Sequence, residues 1–198
     1  MSIQVDNIHT DLYQNLKLKE IAAALDKLGG SSLHENFIDT TTQLGSPVDV
    51  PVQVKYGAAK TSPNGVLSID NNGTLTVLKG GPLLIKSRLR AARSGASGTS
   101  SLFFWVESSL DGGSSWSILG NSIDIRLENS NQQDVFFDFS SLTLPAGIKL
   151  RSMFARSSTG SDFGDLVPSA PSLLLQSYGV PTAPSAQLSI YTFNDYVY

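Results

Sequence analysis

The sequence predicts a mainly β protein, an antiparallel jelly-roll or β-sandwich preceded by a single N-terminal α-helix. A helical period of apolar residues is confined to residues 10–28. Short runs of period-two alternation fill most of the chain beyond it, and clusters of Gly, Ser, Asn and Pro punctuate them at close intervals. These features divide the chain into a helical anchor (1–30), a linker (31–49) and one sandwich domain (50–198).

The helix is expected to start at Thr10, a hydroxyl N-cap, with Asp11 in the first turn where a carboxylate meets the positive end of the helix dipole. Gly29 and Gly30 stop it. Leu18, Ile21, Leu25 and Leu28 follow the three-then-four spacing of a coiled-coil seam, and Leu12 and Leu16 widen the stripe. A helix this short is marginal alone in water, so the stripe needs a cover: its own β-domain, sister helices or a different protein.

Residues 31–49 show neither period and are rich in turn formers, which reads as a linker. The strand candidates come in the order VPVQVKY, VLSID, TLTVL, PLLIKSRLRA, SLFFWVES, WSILG with SIDIRL, DVFFDF, IKLRSMFA, LLLQSY and AQLSIYTF. In PLLIKSRLRA, Ile85, Leu89 and Ala91 share one face and Lys86, Arg88 and Arg90 the other. No second helix is evident, which disfavours a βαβ parallel sheet.

Composition narrows the function classes. Charged residues are 16% of the chain against about 25% in an average soluble protein, and the net charge is -3. Nothing pulls the molecule toward nucleic acid or an anionic membrane. The absence of cysteine removes disulfides, thiolate nucleophiles and Cys-zinc sites together. With no signal-peptide pattern and no membrane-length apolar run, synthesis in a cytoplasm is expected.

Candidate chemistry is sparse. Ser109-Leu110-Asp111-Gly112-Gly113-Ser114-Ser115-Trp116 resembles the Asp-box, Ser-x-Asp-x-Gly-x-Thr-Trp, with Ser115 at the Thr position. That motif is a hairpin device in which Ser109, Asp111, Gly113 and Trp116 are structural. Sialidases carry several such boxes on a propeller, and this chain has one. His9 and His34 fall in the tail and the linker, a poor setting for a catalytic base, and no zinc or copper site is expected from them. Asp70-Asn71-Asn72-Gly73 could offer oxygens to calcium, as could Asp162 and Asp165, but the first is also a hairpin turn and no EF-hand pattern surrounds either. Asp124 and Glu128 share a strand face, and pairing with the basic stripe or Arg126 explains them as well as acid catalysis does. Lys86, Arg88, Arg90 and Arg93 form a basic stripe, open to two readings: docking on an acidic surface, or cross-strand ion pairs. No catalytic residue, metal or cofactor is expected, and the chain reads as a non-enzyme.

KLKEIAAALDKLGG, SSLDGGSSW and the aromatic final strand AQLSIYTF together give a layout that resembles the decoration, cement or head-fibre proteins of tailed bacteriophages, with a C-terminal domain similar to their trimeric jelly rolls of the tumour-necrosis-factor type. The resemblance implies a homotrimer on the outside of a virion, bound to the major capsid protein and stabilising the head. Its N-terminal segment would grip the shell. Neither nucleic acid nor membrane is an implied partner. The competing class is a carbohydrate-binding or receptor-binding knob of a phage fibre or tail, with Trp105, Trp116 and tyrosines as stacking platforms for a glycan, a reading less favoured than decoration.

Overall fold

A computed structural model describes residues 32–45, 47–62, 65–93, 99–128, 132–157 and 164–193. The expected helix, with Leu12, Leu16, Leu18, Ile21, Leu25 and Leu28, lies outside the described residues.

The strands are β1 (Ser32–Asp39), β2 (Val52–Gln53), β3 (Lys60–Thr61), β4 (Leu67–Ile69), β5 (Leu75–Val77), β6 (Gly81–Arg93), β7 (Thr99–Ser109), β8 (Ser117–Glu128), β9 (Gln132–Leu144), β10 (Lys149–Arg156), β11 (Gly164–Leu166) and β12 (Ala186–Phe193). One short helix, α1 (Leu173–Ser177), precedes β12. A five-stranded sheet runs β1-β12-β6, with β11 and β9 also paired to β6; a seven-stranded sheet runs β3-β4-β5-β10-β7-β8, with β2 also paired to β10. Every ladder is antiparallel. From β6 onward the chain crosses between the sheets, β6 to β7–β8, to β9, to β10, and back to β11 and β12, which is jelly-roll connectivity.

Alternation along the strands builds the core between the sheets. In β6, Leu83, Ile85, Leu89 and Ala91 are buried while Lys86 is exposed and Arg88 and Arg90 half-buried. Across the gap Leu102 and Phe104 of β7 and Phe154 of β10 are fully enclosed, with the Phe104 and Phe154 rings stacked at 6.2 Å. One polar link spans this interior. The Tyr56 hydroxyl donates to Ser152 Oγ on β10 at 2.8 Å and pairs with Ser87 Oγ on β6 at 2.7 Å, so a single side chain bonds both sheets. The cavity beside it is about 30 Å³, room for a water but not for an organic ligand.

Four sequence expectations change. The stretch read as linker supplies β1, which pairs with β12 from Ser32↔Phe193 to Asp39↔Ala186. LLLQSY, read as a strand, is the helix α1: Ser172 caps it by accepting from Leu175 N–H at 3.3 Å, and the helix is exposed throughout. WSILG and SIDIRL are one strand, β8, whose register shifts opposite Trp105, where Gly120 adopts a positive φ. Arg93 does not extend the basic stripe. Its odd position puts it on the inward face with Leu89 and Ala91, and it is buried.

Tyr56→Phe should lower stability by about 1–3 kcal/mol, because two enclosed serine hydroxyls lose their shared partner. The urea midpoint should fall at unchanged slope. Burial pushes the Tyr56 phenol from 10.0 up to about 12 despite its two serine hydrogen bonds. The folded state therefore keeps a proton that the unfolded state loses above about pH 10. This contribution is fully present below pH 10 and lost as pH rises toward 12, and Tyr56→Phe should remove that part of the alkaline destabilisation.

Candidate functional site

The Asp-box motif forms the β7–β8 hairpin. Asp111 accepts from the Ser115 hydroxyl at 2.5 Å, the Ser115 N–H at 2.9 Å and the Ser109 hydroxyl at 2.7 Å. Those donors, the Ser115 hydroxyl first, hold its carboxyl well below the usual carboxylate range. Gly113 N–H donates to Ser109 Oγ at 2.8 Å, and positive φ at Gly112 and Gly113 lets the chain reverse there. Trp116 closes the turn by donating its indole N–H to the Gly113 carbonyl at 3.0 Å. The structural roles expected for Ser109, Asp111, Gly113 and Trp116 account for every one of these bonds.

The hairpin leads to a clamped aromatic row on the outer face of the seven-stranded sheet. The Arg151 guanidinium lies 4.0 Å from the Trp116 ring centroid and bonds Glu107 Oε2 at 2.6 and 2.7 Å. Glu107 Oε1 accepts from the Trp105 indole at 2.8 Å. Both indole N–H groups are thus engaged and one face of Trp116 is covered by a cation. For a glycan to stack on that face, Arg151 would first have to leave it.

On the five-stranded sheet Lys86, Arg88 and Arg90 share the outer face. Arg88 bonds Asp134 on β9 at 2.7 Å, and Arg90 lies 3.9 Å from the same carboxylate and bonds Gln132. Cross-strand pairing therefore engages two members of the stripe. A single cross-strand row, Ile38↔Gln187↔Arg88↔Phe136, carries exposed apolar residues at both ends, Ile38 at 50% and Phe136 at 65% exposure. Arg88 stands over the Phe136 ring at 6.0 Å. Between them runs a groove of about 440 Å³ lined by Lys86, Arg88, Phe136, Gln187 and Ser189.

The remaining candidates are not brought together. Asp124 and Glu128 lie exposed on β8, on the other sheet from the stripe, and Glu128 pairs with Arg126 at 3.6 Å. Asp70 accepts from Asn72 N–H at 2.9 Å and Thr74 N–H at 2.8 Å, which is turn chemistry. Asp165 accepts from Gly45 N–H at 2.8 Å, while Asp162 and His9 lie outside the described residues. His34 falls in β1, in register with Tyr191, rather than in a linker. Among the described residues no group of three or more His, Cys, Asp or Glu could hold a metal ion.

Sequence reasoning missed an apolar exposure among the described residues. Leu173, Leu174, Leu175, Tyr178 and Val180 are all exposed on the loop that carries α1. The loop is closed by a backbone bridge between Ser169 and Ala183. Neighbouring Pro171 and the Ser172 cap were the available signals that LLLQSY is not a strand.

No family model matches the chain, and no curated protein does. Among solved structures it is similar to the Eiger TNF of S. frugiperda, with a TM-score of 0.46 and 13% identity over 83% of this chain and 94% of that one.

Arg151→Ala should cost about 1–3 kcal/mol, since Glu107 is left half-buried without its cation and Trp116 loses its cover. Denaturant unfolding and a red shift of tryptophan emission check this together. For Asp111→Asn, the stability deficit against wild type should be widest near neutral pH. A carboxyl held low contributes above its unfolded value of 3.8 and loses that contribution as pH falls. Thermal melts at pH 7 and pH 2 should show the gap narrowing; a gap that widens in acid contradicts the assignment.

Proposed function

We propose that this chain is a structural virion protein that decorates and stabilises the outer surface of a bacteriophage head as a homotrimer, held to the major capsid protein through residues 1–30. It acts by binding, without catalysis or a cofactor. One feature of the topology carries the reading. Ser32 and Phe193 are register partners, so the start of β1 and the end of β12 lie at the same end of the five-stranded sheet, while Asp39↔Ala186 and the α1 loop lie at the other. An anchor at one pole then leaves the opposite pole free for display. The outer face of the five-stranded sheet, with Ile38 and Phe136 exposed in one row, is the surface through which copies associate. The amphipathic pattern of Leu12, Leu16, Leu18, Ile21, Leu25 and Leu28 supplies the grip. Each such side chain contributes roughly 1.5–3 kcal/mol when fully buried, and threefold presentation multiplies a modest single-site affinity.

The test is co-sedimentation of the full chain with heads of its phage. Ile21→Asp with Leu25→Asp should abolish attachment while leaving the β-sheet circular dichroism and the melting temperature unchanged. Undiminished attachment overturns the anchor.

A further inference from the structure

β8 (Ser117–Glu128) is the end strand of the seven-stranded sheet, and among the described residues its ladder runs to β7 alone. An edge strand presents a row of N–H and C=O groups that a further strand completes. Two of the devices that protect edges are absent from β8, which has no lysine and no proline. A third, the register shift near Gly120, is confined to the half next to the hairpin. Residues 123–128 run in regular ladder, from Ile123↔Phe104 to Glu128↔Thr99.

The side chains of that regular half select the occupant. Asp124, Arg126 and Glu128 are exposed and alternate with Ile123, Ile125 and Leu127, which turn to the core. Backbone groups of an antiparallel strand point to one side on alternate residues, so two copies of β8 pair about a twofold axis only when that axis passes through a residue. An axis through Asp124 sets Asp124 against itself. One through Arg126 sets Arg126 against itself and Asp124 against Glu128. An axis through Ile123 carries the ladder across the shift at Gly120, and one through Leu127 pairs only residues 126–128 of β8. An axis through Ile125 sets Asp124 against Arg126 of the other copy, twice over, with Ile125 on Ile125 and Ile123 on Leu127 on the core side. Opposite charges and β-branched pairs directly across a ladder both stabilise it.

The other long edges lack this match. β1 carries Glu35 and Asp39, β9 carries Asp134 and Asp138, and neither has a lysine or arginine to set against them. We infer that β8 is a self-pairing edge that joins two copies of this chain into one continuous antiparallel sheet, about a twofold axis at Ile125. The Arg126–Glu128 contact of 3.6 Å joins exposed groups, so exchanging Glu128 for Asp124 of the other copy costs little. This pairing uses the seven-stranded sheet rather than the face assigned to copy association in the proposed function, and it stands independently of that reading.

The test is sedimentation equilibrium of the full chain at about 100 μM, where a complex of micromolar Kd is mostly formed. Wild type is compared with Asp124→Arg, with Arg126→Asp, with the two single variants mixed in equal amounts, and with the double variant Asp124→Arg/Arg126→Asp. Because both side chains are exposed, all should melt as wild type does. Wild type should have at least about twice the mass of either single variant, since each sets like charges across the axis. The mixture and the double variant, which restore opposite charges, should recover the wild-type mass. A wild type with the mass of the single variants overturns the inference and leaves the edge to an extended segment of another chain. Single variants that lose mass while the mixture and the double variant do not regain it overturn the register at Ile125. Single variants that sediment as monomers sink the homotrimer and leave the edge pairing intact; trimeric single variants beside a trimeric wild type do the reverse.

Discussion

β6 is the strand on which the rest of the molecule depends, because three strands of its sheet pair with it, β12 and then β11 along one side and β9 along the other. Its register decides what faces the core. A slip by one residue would turn Lys86, Arg88 and Arg90 into the interior and put Ile85 and Leu89 in water. Burying an unpaired ammonium or guanidinium costs several kcal/mol, so three such cations in a core exceed the whole stability of a typical domain. The same parity sends Ser87 inward, where the Tyr56 hydroxyl reaches it, and leaves Arg88 outside, where Asp134 does. The inter-sheet link and the outer groove are two faces of one register.

Polar groups elsewhere are used mostly to fix the backbone. Asp70 and Asp111 each accept main-chain N–H groups in a hairpin, Asp165 holds Gly45, and Asp39 accepts from the Thr41 N–H and hydroxyl, both at 2.6 Å. The donors around Asp111 hold its carboxyl well below the usual carboxylate range, which makes it a poor general base. The clamped row of Trp105, Glu107, Arg151 and Trp116 obeys the same logic, for each indole N–H and the Glu107 carboxylate meet partners within the hairpin and its neighbouring strand. Several large apolar side chains also stand out of the described surface: Phe136 and Ile38 on one face, Leu110 and Ile118 on the β7–β8 hairpin, and the α1 loop at one end. Recognition by such a surface depends on shape and area more than on charge.

The features legible in the sequence were local. The two turn motifs declare themselves within a few residues, because Asx chemistry and positive-φ glycines need no distant partner. The inside-outside alternation of β6 was equally plain. β1 was not: SLHENFID reads as polar and irregular because it forms an edge, and its partner lies at the far end of the chain, Ser32 opposite Phe193. Nothing local encodes that pairing. LLLQSY has the composition of a buried strand, so periodicity misassigns it, and only the capping Ser172 and the prolines around it mark the change. Arg93 was grouped with the stripe by charge, whereas strand parity alone would have sent it inward.

An apolar loop that is stable while exposed needs an explanation of its own, since hydrophobic contact with the core does not supply one. Pro168, Pro171, Pro181 and Pro184 bracket the loop and restrict the unfolded chain, which lowers the entropy lost on folding. The Ser169–Ala183 bridge ties the base between β11 and β12, so the sheet itself holds the two ends together. Within that frame α1 needs only its Ser172 cap and a few main-chain bonds to persist. Order comes from the backbone, and the leucines are left uncovered. An element built this way does not collapse onto its own domain, and the free energy of covering its side chains remains available to association.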